Sequence, residues 1–122
     1  MAMKVHDPNA ERIVLRVEAE NETSIVYTVP AGHIFWLEEC DLSPWEFGVG
    51  FCSVFIRDEL DAMVRGLASI TISTEIGAVT SDHATFPSLL ELPAGYDICV
   101  VSNTADINAM GSISGFLTSD YA

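Results

Sequence analysis

Polar and apolar positions alternate with a period of two along much of this chain, the mark of strands with one buried face. From Glu11 to Glu20, Ile13, Leu15, Val17 and Ala19 fall on one side and Arg12, Arg16, Glu18 and Glu20 on the other. Asn21-Glu22 turns the chain, and Ile25, Tyr27 and Val29 then oppose Ser24, Val26 and Thr28. Ile34-Phe35-Trp36-Leu37 is apolar at every position before Glu38, Glu39 and Asp41, which predicts a strand covered on both faces at one end, with Trp36 in the core. Leu42 to Glu46 reads as a loop. Gly48 to Arg57 is the most hydrophobic stretch, with Val49, Phe51, Ser53 and Phe55 on one face and Cys52, Val54 and Ile56 on the other. Neither face is polar, so one is expected to meet the core and the other a partner.

The second half is less regular. Asp58-Glu59-Leu60-Asp61, followed by Ala62 to Gly66, has a capping aspartate, an acidic first turn and a terminal glycine, which predicts a short helix. Ala68, Ile70, Ile72 and Ile76 alternate with Ser69, Thr71, Ser73 and Glu75 as a strand, and Gly77 to Ser81 turns. Ala84 to Leu92 is extended but carries Pro87, which suits an edge strand or a bulge. Tyr96 to Ser102 and Ser112 to Thr118 are predicted to pair across Asn103-Thr104-Ala105-Asp106. Two stretches, Val29-Pro30-Ala31-Gly32 and Leu92-Pro93-Ala94-Gly95, read as corners between strands. Pro30 and Pro93 lack the N–H a ladder needs and preset φ for the second residue of a tight turn, and Gly32 and Gly95 can take positive φ. About eight short strands with at most one short helix mean an antiparallel β-sandwich. Residues 1–10 form an arm without periodicity, and 11–122 form a single domain.

Composition adds an expectation about self-association. Hydrophobic residues make up 49% of the chain, and the mean hydropathy is +0.32, more than a small domain needs for its own core. The surplus points to burial against another copy. Asp and Glu number 18 against 5 Lys and Arg, a net charge of −13, which repels phosphate backbones and argues against nucleic-acid binding. The chain contains no apolar run long enough to span a membrane, and its first residues lack the apolar core of a signal peptide, so synthesis in the cytosol is expected. Cys40, Cys52 and Cys99 are odd in number and lack CxxC spacing, which favours three packed, reduced thiols.

Candidate chemistry is sparse. His6, His33 and His83 are isolated, with no HxH or HxxxH spacing for a metal. Asp58-Glu59-x-Asp61 lacks the ligand order and central glycine of a calcium loop. No GxSxG motif, nearby Cys/His pair or phosphate-cradling glycine loop occurs. No catalytic, cofactor-binding or metal residue is therefore assigned. Trp36, Trp45, Tyr96 and Tyr121 could in principle form a sugar-stacking platform, with Trp45, beside Pro44, the aromatic best placed as a contact residue.

The segments TVPAGHIFWLEEC, GVGFCSVFIRDE and LLELPAGYDICVVSNTADINAMGSISGFL together resemble the small jelly-roll β-sandwich of virion structural proteins from tailed phages and related viruses. Val29 to Gly32, Leu92 to Gly95 and Ile113-Ser114-Gly115 carry the likeness, which spans about Glu22 to Leu117. The resemblance implies a jelly roll located in a virion, with no catalytic residue or cofactor. It also implies a capsid decoration protein that binds the major capsid protein or another virion protein. The alternative is a receptor- or glycan-binding module of a head fibre or tail tip. A homotrimer is expected, joined through Val49, Phe51, Phe55 and Trp45.

Overall fold

The computed structural model describes residues 10–44, 50–72, 81–103 and 108–119. Eight strands follow in chain order: β1 (Glu11–Glu20), β2 (Thr23–Thr28), β3 (His33–Pro44), β4 (Gly50–Arg57), β5 (Met63–Ile72), β6 (Asp82–Leu92), β7 (Asp97–Ser102) and β8 (Asn108–Ser119). They form two four-stranded antiparallel sheets with the orders β1-β8-β3-β6 and β2-β7-β4-β5. The pairings β1 with β8, β2 with β7, β3 with β6 and β4 with β5 are those of one long hairpin rolled up on itself. Its tip is the β4–β5 turn, the one connection that stays within a sheet. This is the jelly-roll order, and the expected antiparallel sandwich is the observed fold.

The alternation explains the layers. Phe35, Leu37, Cys40 and Leu42 of β3 face Cys52, Val54 and Ile56 of β4 and Ile98 and Val100 of β7 across one continuous core. Ala19, Val26, Val29, Ala68, Ile70, Leu92, Ala109, Ile113 and Leu117 complete it. Gly111 and Gly115 of β8 leave the room these side chains need, since a Cβ on Gly111 would come within 3.0 Å of Val100. The three cysteines are free and buried, as expected. Burial pushes the Cys40 and Cys52 thiols up to about 11 and also raises Cys99.

The two Pro-Ala-Gly corners each carry the chain between sheets and lie side by side. Val29 N–H donates to the Tyr96 carbonyl and Gly95 N–H to the Val29 carbonyl, both at 2.9 Å. Gly32 and Gly95 have φ of +77° and +87°. Because His33 N–H closes on the Pro30 carbonyl and Tyr96 N–H on the Pro93 carbonyl, proline holds the first position of each turn, not the second, and glycine the third.

Three further expectations are corrected. No helix follows Asp58. Its Oδ1 accepts from the Leu60 and Ala62 amides at 2.9 and 3.0 Å, closing a tight turn from which β5 runs straight out. The capping chemistry was real, but an aspartate caps a turn as readily as a helix. Secondly, β7 and β8 do not pair with each other; β7 lies between β2 and β4, and β8 between β1 and β3. Thirdly, Leu42 to Pro44, expected to begin a loop, continue β3; Trp36 is buried, as expected, on the outward side of that strand, where its Nε1 donates to Thr118 Oγ1 at 2.9 Å. Pro87 does sit in an edge strand: Leu37 pairs with Leu90 and Glu39 with Thr85, so residues 86–89 bulge opposite Glu38.

Candidate interaction face

The β2-β7-β4-β5 sheet and its tip carry most of the exposed large hydrophobic side chains among the described residues. Register places Phe51 beside Thr71, Ser53 between Ser69 and Val101, and Phe55 between Gly66 and Cys99, with Ile25 beyond Cys99. The core takes Cys52, Val54 and Ile56, so the aromatic side of β4 is the outer one. Phe55 is 8% exposed and Phe51 36%. Together with Met63, Leu67, Ser69, Val101 and Asp82 they line a groove of about 650 Å³. Of the six exposed large hydrophobics among the described residues, Ile25, Phe51, Leu60, Met63 and Val64 belong to this sheet or its β4–β5 tip, and only Val14 to the other.

The charged groups of this face are few and each is held in hydrogen bonds. At one end Arg57 bonds Asp97 Oδ2 at 3.0 Å, and Thr28 Oγ1 donates to Asp97 Oδ1 at 2.6 Å. Arg57 also lies 3.8 Å from Asp61. In the groove lining, Asp82 accepts from the Ser69 and His83 amides, each at 3.0 Å. Both carboxylate oxygens are thereby engaged by backbone. The outer side of the other sheet is different: Arg12 bridges to Glu38 at 3.1 Å over the Phe116 ring, and His83 bonds Asp41 and approaches Glu39 at 3.9 Å.

Phe51 and Phe55 thus share one face, while Trp45 and Val49 lie outside the described residues. Met63, Leu67 and Val101 were not singled out from sequence. The helix reading of 58–66 hid the start of β5, whose alternation runs back to Met63 only across two register shifts. No stacking platform forms among the described aromatics: Trp36 is buried on the first sheet and Tyr96 packs against the core. His33 Nδ1 lies 3.0 Å from the Ala31 carbonyl within its corner. No group of three His, Cys, Asp or Glu is arranged to hold a metal ion among the described residues.

The fold defines the class: an eight-stranded jelly-roll β-sandwich. No protein-family model matches the chain, and no curated protein matches it in sequence. Similar solved structures include a pentameric capsid protein isolated from metagenomic phage sequences, with 21% identity, a TM-score of 0.45, and 87% of this chain and 59% of that one covered. The cyanophage Pam1 capsid asymmetric unit has 13% identity and a TM-score of 0.49 over 88% of this chain and 84% of that one. Eiger TNF from S. frugiperda has 11% identity and a TM-score of 0.47 over 93% and 94%. The chain spans 59% of the length of the metagenomic capsid protein. Likenesses this distant carry no argument about function.

Proposed function

We propose that this chain is a structural protein of a virion, acting as a decoration protein that binds and stabilises an assembled capsid. The observation that supports this reading is where the virion-like motifs fall. Val29 to Gly32 and Leu92 to Gly95 are the paired sheet-crossing corners, and Ile113-Ser114-Gly115 lies in β8, between β1 and β3. Two of the three motifs of the resemblance are therefore the joints of the jelly roll, and the third lies in a central strand. An acidic surface also suits a protein that must avoid released genomes. A protein that binds only the assembled lattice stabilises it by mass action, by about 2.7 kcal/mol at a hundredfold excess over Kd.

The test is mass spectrometry of purified particles of the virus that encodes the chain, with cosedimentation of the purified chain against assembled shells and against unassembled capsid subunits. The chain is expected in the particles in fixed ratio to the major capsid protein, and is expected to pellet with shells and bind subunits weakly. Absence from the particles would overturn the reading. Presence in fibres or tails with no binding to shells would move it to the appendage role.

A further inference from the structure

We infer that the outer face of the β2-β7-β4-β5 sheet is a self-association surface on which a second copy of this chain docks like on like. The inference deepens the proposed function by naming a partner, and it is tested on the isolated chain without any capsid. Size permits it. Four strands at ~4.8 Å spacing and eight residues at ~3.4 Å rise give a face of about 500 Å². Two such faces reach about 1,000 Å², near the lower limit for a specific interface. The face is also apolar where a monomer's surface is normally polar: Met63 is 67% exposed, Phe51 stands at the groove, and Phe55 forms its floor.

Charge identifies the occupant. Each chain carries −13, so two copies repel wherever their acidic surfaces meet. Apart from the Arg57–Asp97 pair at one end and Asp82 in the groove lining, each held in hydrogen bonds, the outward register positions of this face carry no charge. A basic partner would be drawn to the acid-bearing surfaces and would gain nothing from this one. Another copy of the same acidic chain gains most by meeting neutral ground with neutral ground. Like-on-like contact is isologous and closes with two-fold symmetry, so even copy numbers are favoured over the three expected from the resemblance.

Salt gives the sign that separates this arrangement from an ion-paired one. Screening removes the long-range repulsion between two −13 chains but leaves an apolar contact intact, so association should strengthen severalfold between about 0.03 M and about 0.3 M NaCl. Sedimentation velocity and light scattering on the full chain across protein and salt concentrations provide the readout. The wild type is expected as a dimer or higher even-numbered species. Phe51→Asp and, independently, Met63→Asp should each weaken association at least about tenfold, a tenfold change being ~1.4 kcal/mol. Val14→Asp, 65% exposed on the opposite sheet, should leave association unchanged. Circular dichroism and thermal melts establish that each variant is folded. Met63, largely exposed in the groove lining, keeps the test alive if Phe51→Asp fails to fold. A monomeric wild type at high salt, an odd-numbered closed ring, association that weakens with salt, or a Val14 variant that dissociates while a folded Met63 variant does not, would each overturn the inference.

Discussion

A Cβ built on Gly115 would overlap the Trp36 carbonyl oxygen and come within 2.6 Å of the Phe35 ring, whereas one built on Gly66 meets nothing within 4 Å. The first obstacle is backbone of the neighbouring strand, which cannot rotate away as a side chain can. Gly115→Ala is therefore expected to destabilise the chain by about 1–3 kcal/mol, the range for overpacking a dense core. Gly66→Ala, in an ordinary strand conformation, is expected to be neutral or to stabilise by about 0.4–1 kcal/mol through the unfolded state. Urea unfolding of the two variants beside the wild type checks both, and equal midpoints would refute the packing argument. Gly115 ends the Ile113-Ser114-Gly115 motif, so one fixed position in that motif has a steric cause.

At the scale of the element, the β4–β5 tip and the β6 edge each depend on one side chain. Asp58 Oδ1 holds two amides of the tip, and Asp58 N–H donates to the Ala62 carbonyl at 2.9 Å. Asp58→Ala is expected to cost about 1 kcal/mol, with Asp58→Asn retaining most of the stability, as for capping carboxylates elsewhere. Thermal melts of the pair distinguish loss of the acceptor from loss of charge. Strand β6 is held to β3 on its outer side by His83, which bonds Asp41 and faces Glu39, with Asp82 beside it in sequence. The hydrogen bond to Asp41, reinforced by the surrounding carboxylates, raises the His83 pKa above its ordinary 6.5. A raised folded-state value means that the contribution is fully present below about pH 6.5 and is lost as pH rises through the folded value. The wild type should thus lose stability relative to His83→Gln as pH rises from about 6.5 through the raised folded-state value. Denaturant midpoints of both proteins across that window give the difference, and parallel pH profiles would show that His83 contributes nothing.

For the whole molecule, topology governs how the chain reaches its fold. Glu11 pairs with Leu117 and Thr23 with Val101, so closing the sheets joins the two ends of the domain before local contacts can offset the loop entropy. Folding is expected on the millisecond-to-second scale typical of β-sandwiches, and the local β4–β5 hairpin, whose register runs from Gly50 with Ile72 to Arg57 with Met63, is the pairing with the shortest loop to close. Stopped-flow fluorescence, followed through Trp36 and Trp45, measures the rate. Refolding in microseconds would contradict the argument from long-range pairing.

The alternation of Ile13, Leu15 and Val17, the doubly apolar start of β3 and the paired Pro-Ala-Gly corners were enough to specify an antiparallel sandwich, because side-chain period and turn geometry are local properties. Resemblance then supplied the jelly roll. The two apolar faces of β4 were legible as well, along with the need to cover both. Which of them meets the core is not a local property: it depends on which side of β4 the opposite sheet occupies, and Cys52, Val54 and Ile56 take that side. The same limit explains the false helix at Asp58, whose capping signal is identical in a turn and is resolved only by the pairing of Met63 with Arg57. It explains the β7–β8 error too, since adjacency in sequence suggests a hairpin, while burial of both strands in the middle of separate sheets demands partners from the other end of the chain. Local chemistry therefore determined the strands and corners, and only tertiary packing decided which face was left outside to form the groove.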